Sequence, residues 1–148
     1  MKIMFDMDGT IANLYAVESW LIKIRANDPS PYEEAQVMVN MSLLARYLHK
    51  AQQAGYKIGI ISYVSRIPSP EYDAQVERAK REWLAKHLPS ITWDEINICH
   101  HDIPKSHFME DDEDILFDDE EENRDEWGNN AFAPEDMFEV LKHLLSRQ

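Results

Sequence analysis

The strongest constraint in this chain is an alternation. Short apolar runs that stop on polar residues are separated by stretches with helical spacing. Lys2-Ile3-Met4-Phe5-Asp6 reads as a buried strand ending at a carboxylate. Leu14, Val17, Leu21 and Ile24 then fall at helical spacing until Asp28-Pro29-Ser30-Pro31 breaks the pattern. Val37, Met41, Leu44, Leu48 and Ala51 predict a second helix, with Gly55 at its C-terminal stop. Tyr56-Lys57-Ile58-Gly59-Ile60-Ile61-Ser62 predicts a second strand. Tyr72, Val76, Ala79 and Trp83 predict a third helix closing near Leu88-Pro89. Ile96-Asn97-Ile98 and Ile115-Leu116-Phe117 read as strands three and four. Pro134, Glu135 and Asp136 open a last helix that buries Phe138, Leu141 and Leu145. Strands alternating with helices in this way imply a parallel sheet covered on both faces.

The 148 residues contain no internal repeat and no Gly/Ser linker, so one domain spanning 1–148 is expected. No apolar run approaches the ~20 residues of a membrane span, and Asp6 and Asp8 interrupt the N-terminus before a signal-peptide core forms. Cys99 is the single cysteine, which together with that N-terminus suits a reducing, cytoplasmic setting. Fifteen Lys and Arg against 28 Asp and Glu give a formal charge of −13. Residues 110–126 hold twelve acidic residues and one basic residue, Arg124, so this segment carries −11 and the rest only −2. That segment makes a long phosphate backbone a poor neighbour and argues against nucleic acid as a partner.

In parallel α/β sheets, ligands bind outside the carboxyl ends of the strands. Asp6, Ser62 and Asp118 all lie at such ends. In Phe5-Asp6-Met7-Asp8-Gly9-Thr10, two carboxylates two residues apart follow a strand directly. Asp6 there is suited to attack phosphorus or to ligate a hard cation, and Asp8 to exchange protons. A solvated acidic loop is the bland alternative for a D-x-D pair alone.

The complete string resembles the first motif of the haloacid dehalogenase superfamily of aspartate-nucleophile phosphatases. Further motifs of that family have counterparts in order: Ser62 after the second strand, Lys105 in Ile103-Pro104-Lys105-Ser106, and Asp118-Asp119 after the fourth strand. The resemblance implies a Rossmann-like three-layer α/β/α sandwich with a minimal cap or none. It implies Asp6 as nucleophile and Mg²⁺ ligand, and Asp8 as general acid/base with its backbone carbonyl on the metal. Ser62 would hydrogen-bond the phosphoryl group, with Ser65 a rival for that role, and Lys105 would neutralise nucleophile and phosphate. Asp118 and Asp119 would complete the Mg²⁺ site, while Thr10, Ser65 and Arg66 would touch substrate. Asp8 is the carboxylate that the phosphatase branch has and the dehalogenating branch lacks.

Other features receive plainer readings. Cys99-His100-His101-Asp102 lacks the spacing of a structural zinc site, although His100 or His101 near Lys105 is placed to reach substrate. Residues 110–114 read as a solvated loop. Trp20, Trp83, Trp93 and Trp127 read as packing.

Between Asp8 and Ser62 lie 53 residues, of which 12–39 suffice for a small helical cap but not for a separate folded domain. An open site follows, or one that uses a second subunit of a homodimer as its lid. Ser65-Arg66-Ile67-Pro68-Ser69-Pro70-Glu71-Tyr72-Asp73 and Asp118-Asp119-Glu120-Glu121-Glu122-Asn123 are similar to small 5′-nucleotidase-like members from bacteria and phages. This likeness implies a nucleotide or another small phosphorylated metabolite as substrate. The alternatives are a phosphotransferase or nucleic-acid end phosphatase of the same fold, and a catalytically silent nucleotide- or metal-binding protein.

Overall fold

The computed structural model describes residues 1–67 and 69–146; Pro68, in the stretch after the second strand, lies outside them. The first strand, β1 (Lys2–Phe5), is buried along its whole length. The next segment is built of short pieces: β2 (Ala12–Asn13), a 3-10 turn at Leu14–Ala16, α1 (Trp20–Arg25), α2 (Ser30–Glu34) and β3 (Gln36–Val37). Then come α3 (Met41–Gln53), β4 (Lys57–Tyr63), α4 (Pro70–His87) and β5 (Glu95–Cys99). A 3-10 turn at Lys105–Phe108 leads to β6 (Ile115–Phe117), α5 (Glu121–Trp127), β7 (Ala131–Phe132) and α6 (Met137–Ser146).

Five strands form one sheet in the order β5-β4-β1-β6-β7, and every neighbouring pair is parallel. Strand alternation sends successive side chains to opposite faces. Ile3, Phe5, Ile58, Ile60, Ile115 and Phe117 pack with Leu44 and Leu48 of α3, Trp83 and Leu84 of α4, and Met137 and Leu141 of α6. Met4, Ile61 and Leu116 face the other way, toward Trp127 of α5. The architecture is therefore the three-layer α/β/α arrangement expected from the alternation. The chain order reverses between β1 and β6, so a crevice opens at the carboxyl ends of those two strands.

Two long helices begin where their caps dictate. Asn40 accepts a hydrogen bond from the Leu43 amide at 3.0 Å and starts α3. Ser69 caps α4 just before Pro70. Val37, expected at the head of the α3 stripe, lies instead in β3 and is exposed. The helix expected over Leu14 to Ile24 is split, because Ser19 takes a left-handed conformation (φ 58°) between the 3-10 turn and α1. Both α5 and β7 are additions to the expected elements.

In the loop at 110–114, Glu110 to Glu113 are exposed as expected, but Asp114 is fully buried. Its carboxylate accepts from the amides of Lys2 (2.7 Å), Glu110 (2.9 Å) and Asp111 (3.0 Å), which pins the loop to the start of β1. With three amide donors, the Asp114 carboxylate is a structural anchor rather than a solvated group. No helix among the described residues is long and apolar enough to cross a membrane.

Candidate active site

The chain leaves β1 at Asp6, whose amide still donates to the Phe117 carbonyl of β6 at 2.9 Å. It then folds tightly: the amides of Thr10, Ile11 and Ala12 all converge on the Met7 carbonyl. Gly9 makes this turn possible at φ +82°, and a Cβ there would strike the Asp119 carboxylate and the Tyr15 ring. The Gly9-Thr10 pair thus carries the chain past the acidic cluster without blocking it.

Lys105 sits at the centre of the cluster. It is 1% exposed and its Nζ reaches Asp6 Oδ1 at 2.9 Å and Asp118 Oδ2 at 2.6 Å. Burial alone would lower its pKa, but the two carboxylates outweigh that and raise it, so the ammonium stays charged. Thr10 donates to Asp6 Oδ2 at 3.0 Å and accepts from the Asp119 amide at 3.2 Å. Asp118 is further fixed by the Glu120 amide at 2.9 Å and the Asn123 side chain at 3.2 Å. Its own amide donates to Phe132 of β7 at 3.1 Å, and Arg124 holds its carbonyl at 3.0 Å. The two unforeseen elements, α5 and β7, therefore hold the acidic residues in place.

Oxygens of Asp6, Asp118 and Asp119 all lie within 4.8 Å of one another. With a single lysine among three carboxylates, the cluster is under-compensated. Burial and the charge of Asp6 push Asp118 up to about 6 and Asp119 up to about 8. Closely spaced hard oxygen donors carrying excess negative charge fit a divalent cation such as Mg²⁺.

Asp8 stands apart from that trio and pairs with a residue that the sequence reading passed over. Lys80 of α4 is 1% exposed and donates to Asp8 Oδ2 at 2.8 Å, Ser62 Oγ at 2.6 Å and the Tyr63 carbonyl at 2.7 Å. Its position held a signal: Lys80 falls four residues after Val76 and three before Trp83, on the apolar stripe of its helix. A lysine on a buried stripe requires a partner. Burial raises the Asp8 pKa, with Lys80 working against the rise.

These groups open onto a cavity of about 490 Å³. Asp6 and Asp8 lie at its floor, and Leu14, Tyr15, Trp20 and Tyr32 line the side built from residues 12–39. Trp20 thus lines the crevice rather than serving only as packing, whereas Trp83 and Trp127 are buried in the core. Ser65, Arg66 and His101 also line it, as does Arg25 of α1. The His101 ring donates to the Val64 carbonyl at 2.9 Å and lies against Tyr63, so it is part of the wall. His100 faces Asp73 at 3.8 Å. Ser62 is fully buried beneath Lys80 and does not line the cavity; Ser65 does.

No family model matches the chain, and no curated protein matches it by sequence. Among solved structures it is similar to a D,D-heptose 1,7-bisphosphate phosphatase from Burkholderia thailandensis, with a TM-score of 0.59 and 11% identity over 98% of both chains. It is also similar to a chain in the structure of a Pnkp1/Rnl/Hen1 complex, with a TM-score of 0.54 and 18% identity over 89% of this chain and 44% of that one. At these identities the likeness establishes a shared α/β fold.

Proposed function

We propose that the protein is a Mg²⁺-dependent phosphomonoesterase of the haloacid dehalogenase type, acting through an aspartyl-phosphate on Asp6. The observation that carries this reading is the setting of Asp6: at the end of the central strand, open to the cavity, anchored by Lys105 and Thr10 and grouped with Asp118 and Asp119. Asp6, Asp118 and Asp119, with the Asp8 backbone carbonyl, are the groups that would hold Mg²⁺. Its charge would offset the repulsion between Asp6 and an anionic phosphate.

In the first half-reaction a carboxylate oxygen of Asp6 bonds to phosphorus as the bond to the leaving oxygen breaks. Asp8 supplies the proton that the leaving oxygen needs. A carboxyl group raised by burial is suited to that donation. In the second half-reaction Asp8 takes a proton from water as the water attacks phosphorus. Inorganic phosphate leaves and Asp6 is restored. Lys105 keeps a positive charge beside Asp6 through both steps.

The substrate we infer is a nucleotide or another small phosphorylated metabolite. Its support is the cavity wall: Tyr15, Trp20 and Tyr32 offer flat apolar faces, while Arg25 and Arg66 stand at the opening. Ser65, which lines the cavity, would contact the phosphoryl group in place of the buried Ser62, and Arg66 the leaving group. Residues 12–39 serve as a minimal cap. The test is phosphate release with and without Mg²⁺, alongside Asp6→Asn; full activity in that folded variant would end the reading.

A further inference from the structure

Two lysines are almost wholly buried at the crevice floor, and the mechanism above uses only Lys105. Lys80 spends its three donors on three different kinds of acceptor. Two of these, Ser62 Oγ and the Tyr63 carbonyl, belong to the end of β4. The third is Asp8 Oδ2. The ammonium also lies 5.1 Å from the centre of the Tyr32 ring, against the segment that walls the cavity.

The consequence for Asp8 is specific. Its Oδ2 is tied down by Lys80, and Lys80 is the only side-chain hydrogen-bond partner of the Asp8 carboxylate among the described residues. Asp8 lines the cavity, and among the described residues its Oδ1 has no hydrogen-bond partner and is not sealed off. One oxygen is therefore anchored and the other left to face substrate. Among the described residues, the Lys80 contact is thus the hydrogen bond that fixes the direction of the Asp8 carboxylate.

We propose that Lys80 is a positioning residue for phosphoryl transfer, which ties Asp8 to the end of β4 and presents its free oxygen to the leaving group. This rests on the phosphomonoesterase reading, with Asp8 as its acid. It assigns Lys80 a task separate from that of Lys105: Lys105 serves the nucleophile, and Lys80 serves the acid. A rigidly supported group contributes more than one free to wander, since a small misplacement weakens proton transfer in the transition state.

The test compares kcat/KM for two substrates with the same phosphoryl group and different leaving groups. One is 4-nitrophenyl phosphate, whose leaving phenolate needs little protonation; the other is a nucleoside 5′-monophosphate, whose alkoxide needs a proton. Lys80→Met should lower kcat/KM on the nucleotide by roughly 100-fold or more and on the aryl phosphate by less than about tenfold, because general acid catalysis is worth about 10² to 10⁴. A merely structural lysine would lower both alike, and equal losses, or no loss, would overturn the proposal.

If Lys80→Met alone does not fold, the pair Asp8→Asn and Asp8→Asn/Lys80→Met carries the test, since the double variant buries no unpaired charge. Adding Lys80→Met to Asp8→Asn should then cost less than about threefold on the aryl phosphate, because a variant whose acid is already gone has nothing left to position. A further tenfold loss in the folded double variant would overturn it. Absence of Mg²⁺-dependent release by the wild-type protein, or its survival in Asp6→Asn, would instead remove the phosphomonoesterase reading itself.

Discussion

On the sheet side of the crevice, Asp6 and Asp118 are 7% and 0% exposed, and every one of their carboxylate oxygens is hydrogen-bonded within the protein. On the side built from residues 12–39, Tyr15 is 44% exposed and Leu21 40%, and short pieces of helix are held to α4 through Leu14 and Tyr32, which pack with Tyr72 and Val76. The first region holds its charges in a closed set of hydrogen bonds. The second offers an apolar surface on short elements that depend on packing against α4. On the proposed function, chemistry belongs to the first and choice of substrate to the second, so substitutions in the two should separate kcat from KM.

The largest expected effect breaks the sheet side. Asp6→Asn keeps the shape and removes the nucleophile, so kcat should fall by on the order of 10⁴-fold on every substrate while the melting curve stays cooperative. A loss confined to some substrates would contradict the division between the two regions.

Next comes Lys105→Met, which leaves two buried carboxylates without their shared cation. Breaking such a pair costs about 3–5 kcal/mol, so the metal-free variant should melt well below wild type, with Mg²⁺ recovering part of the loss. Calorimetry with EDTA and then with Mg²⁺ reads both. An unchanged melting temperature in EDTA would mean that Lys105 does not carry the cluster.

A pH series sharpens the same point. Asp118 and Asp119 have folded pKa values raised to about 6 and about 8 from an unfolded 3.8, so between those limits the folded protein binds more protons than the unfolded one. Metal-free stability should therefore fall as pH rises from about 4 toward 8 through these two groups. A cation must displace the same protons, so its affinity should rise over that range, and the Mg²⁺-induced gain in melting temperature should be larger at pH 8 than at pH 5.5. Equal gains at both values would show that the trio is not where the cation binds.

The smallest effect is on the wall. Trp20→Ala should raise KM for a nucleotide about tenfold, the equivalent of about 1.4 kcal/mol, and leave kcat within about twofold. A fall in kcat with unchanged KM would place Trp20 in the chemical step and dissolve the comparison.

The sequence made the sheet side legible because strand burial and strand ends are local signals. Three-residue Ile115-Leu116-Phe117 is entirely apolar and stops at Asp118, so its position was readable despite the acidic run beyond it. What hid was structure whose cause lies elsewhere in the chain. Strand β7 is two residues long and exists because it pairs with β6, and α5 buries only Trp127 beneath a charged exterior, so neither has a period to detect. Asp114 looked like its four acidic neighbours because the amide that claims it belongs to Lys2, 112 residues away. Lys80 was readable in principle as a charge on an apolar stripe, but its partners, Asp8 and Ser62, come together only through the sheet. The wall was readable as a segment of the right length and not as a shape, since a left-handed Ser19 divides it.

The central claim is that Asp6 forms the bond to phosphorus. Its most direct test is phosphate release from a panel of nucleoside 5′- and 3′-monophosphates, sugar phosphates and 4-nitrophenyl phosphate, in Mg²⁺ or in EDTA, for wild type and Asp6→Asn. The account predicts release that needs Mg²⁺, is greatest on one or a few nucleotides, and disappears in Asp6→Asn across the panel. Release that persists in the folded Asp6→Asn protein, or binding of nucleotide and Mg²⁺ by the wild type without any turnover, would contradict it.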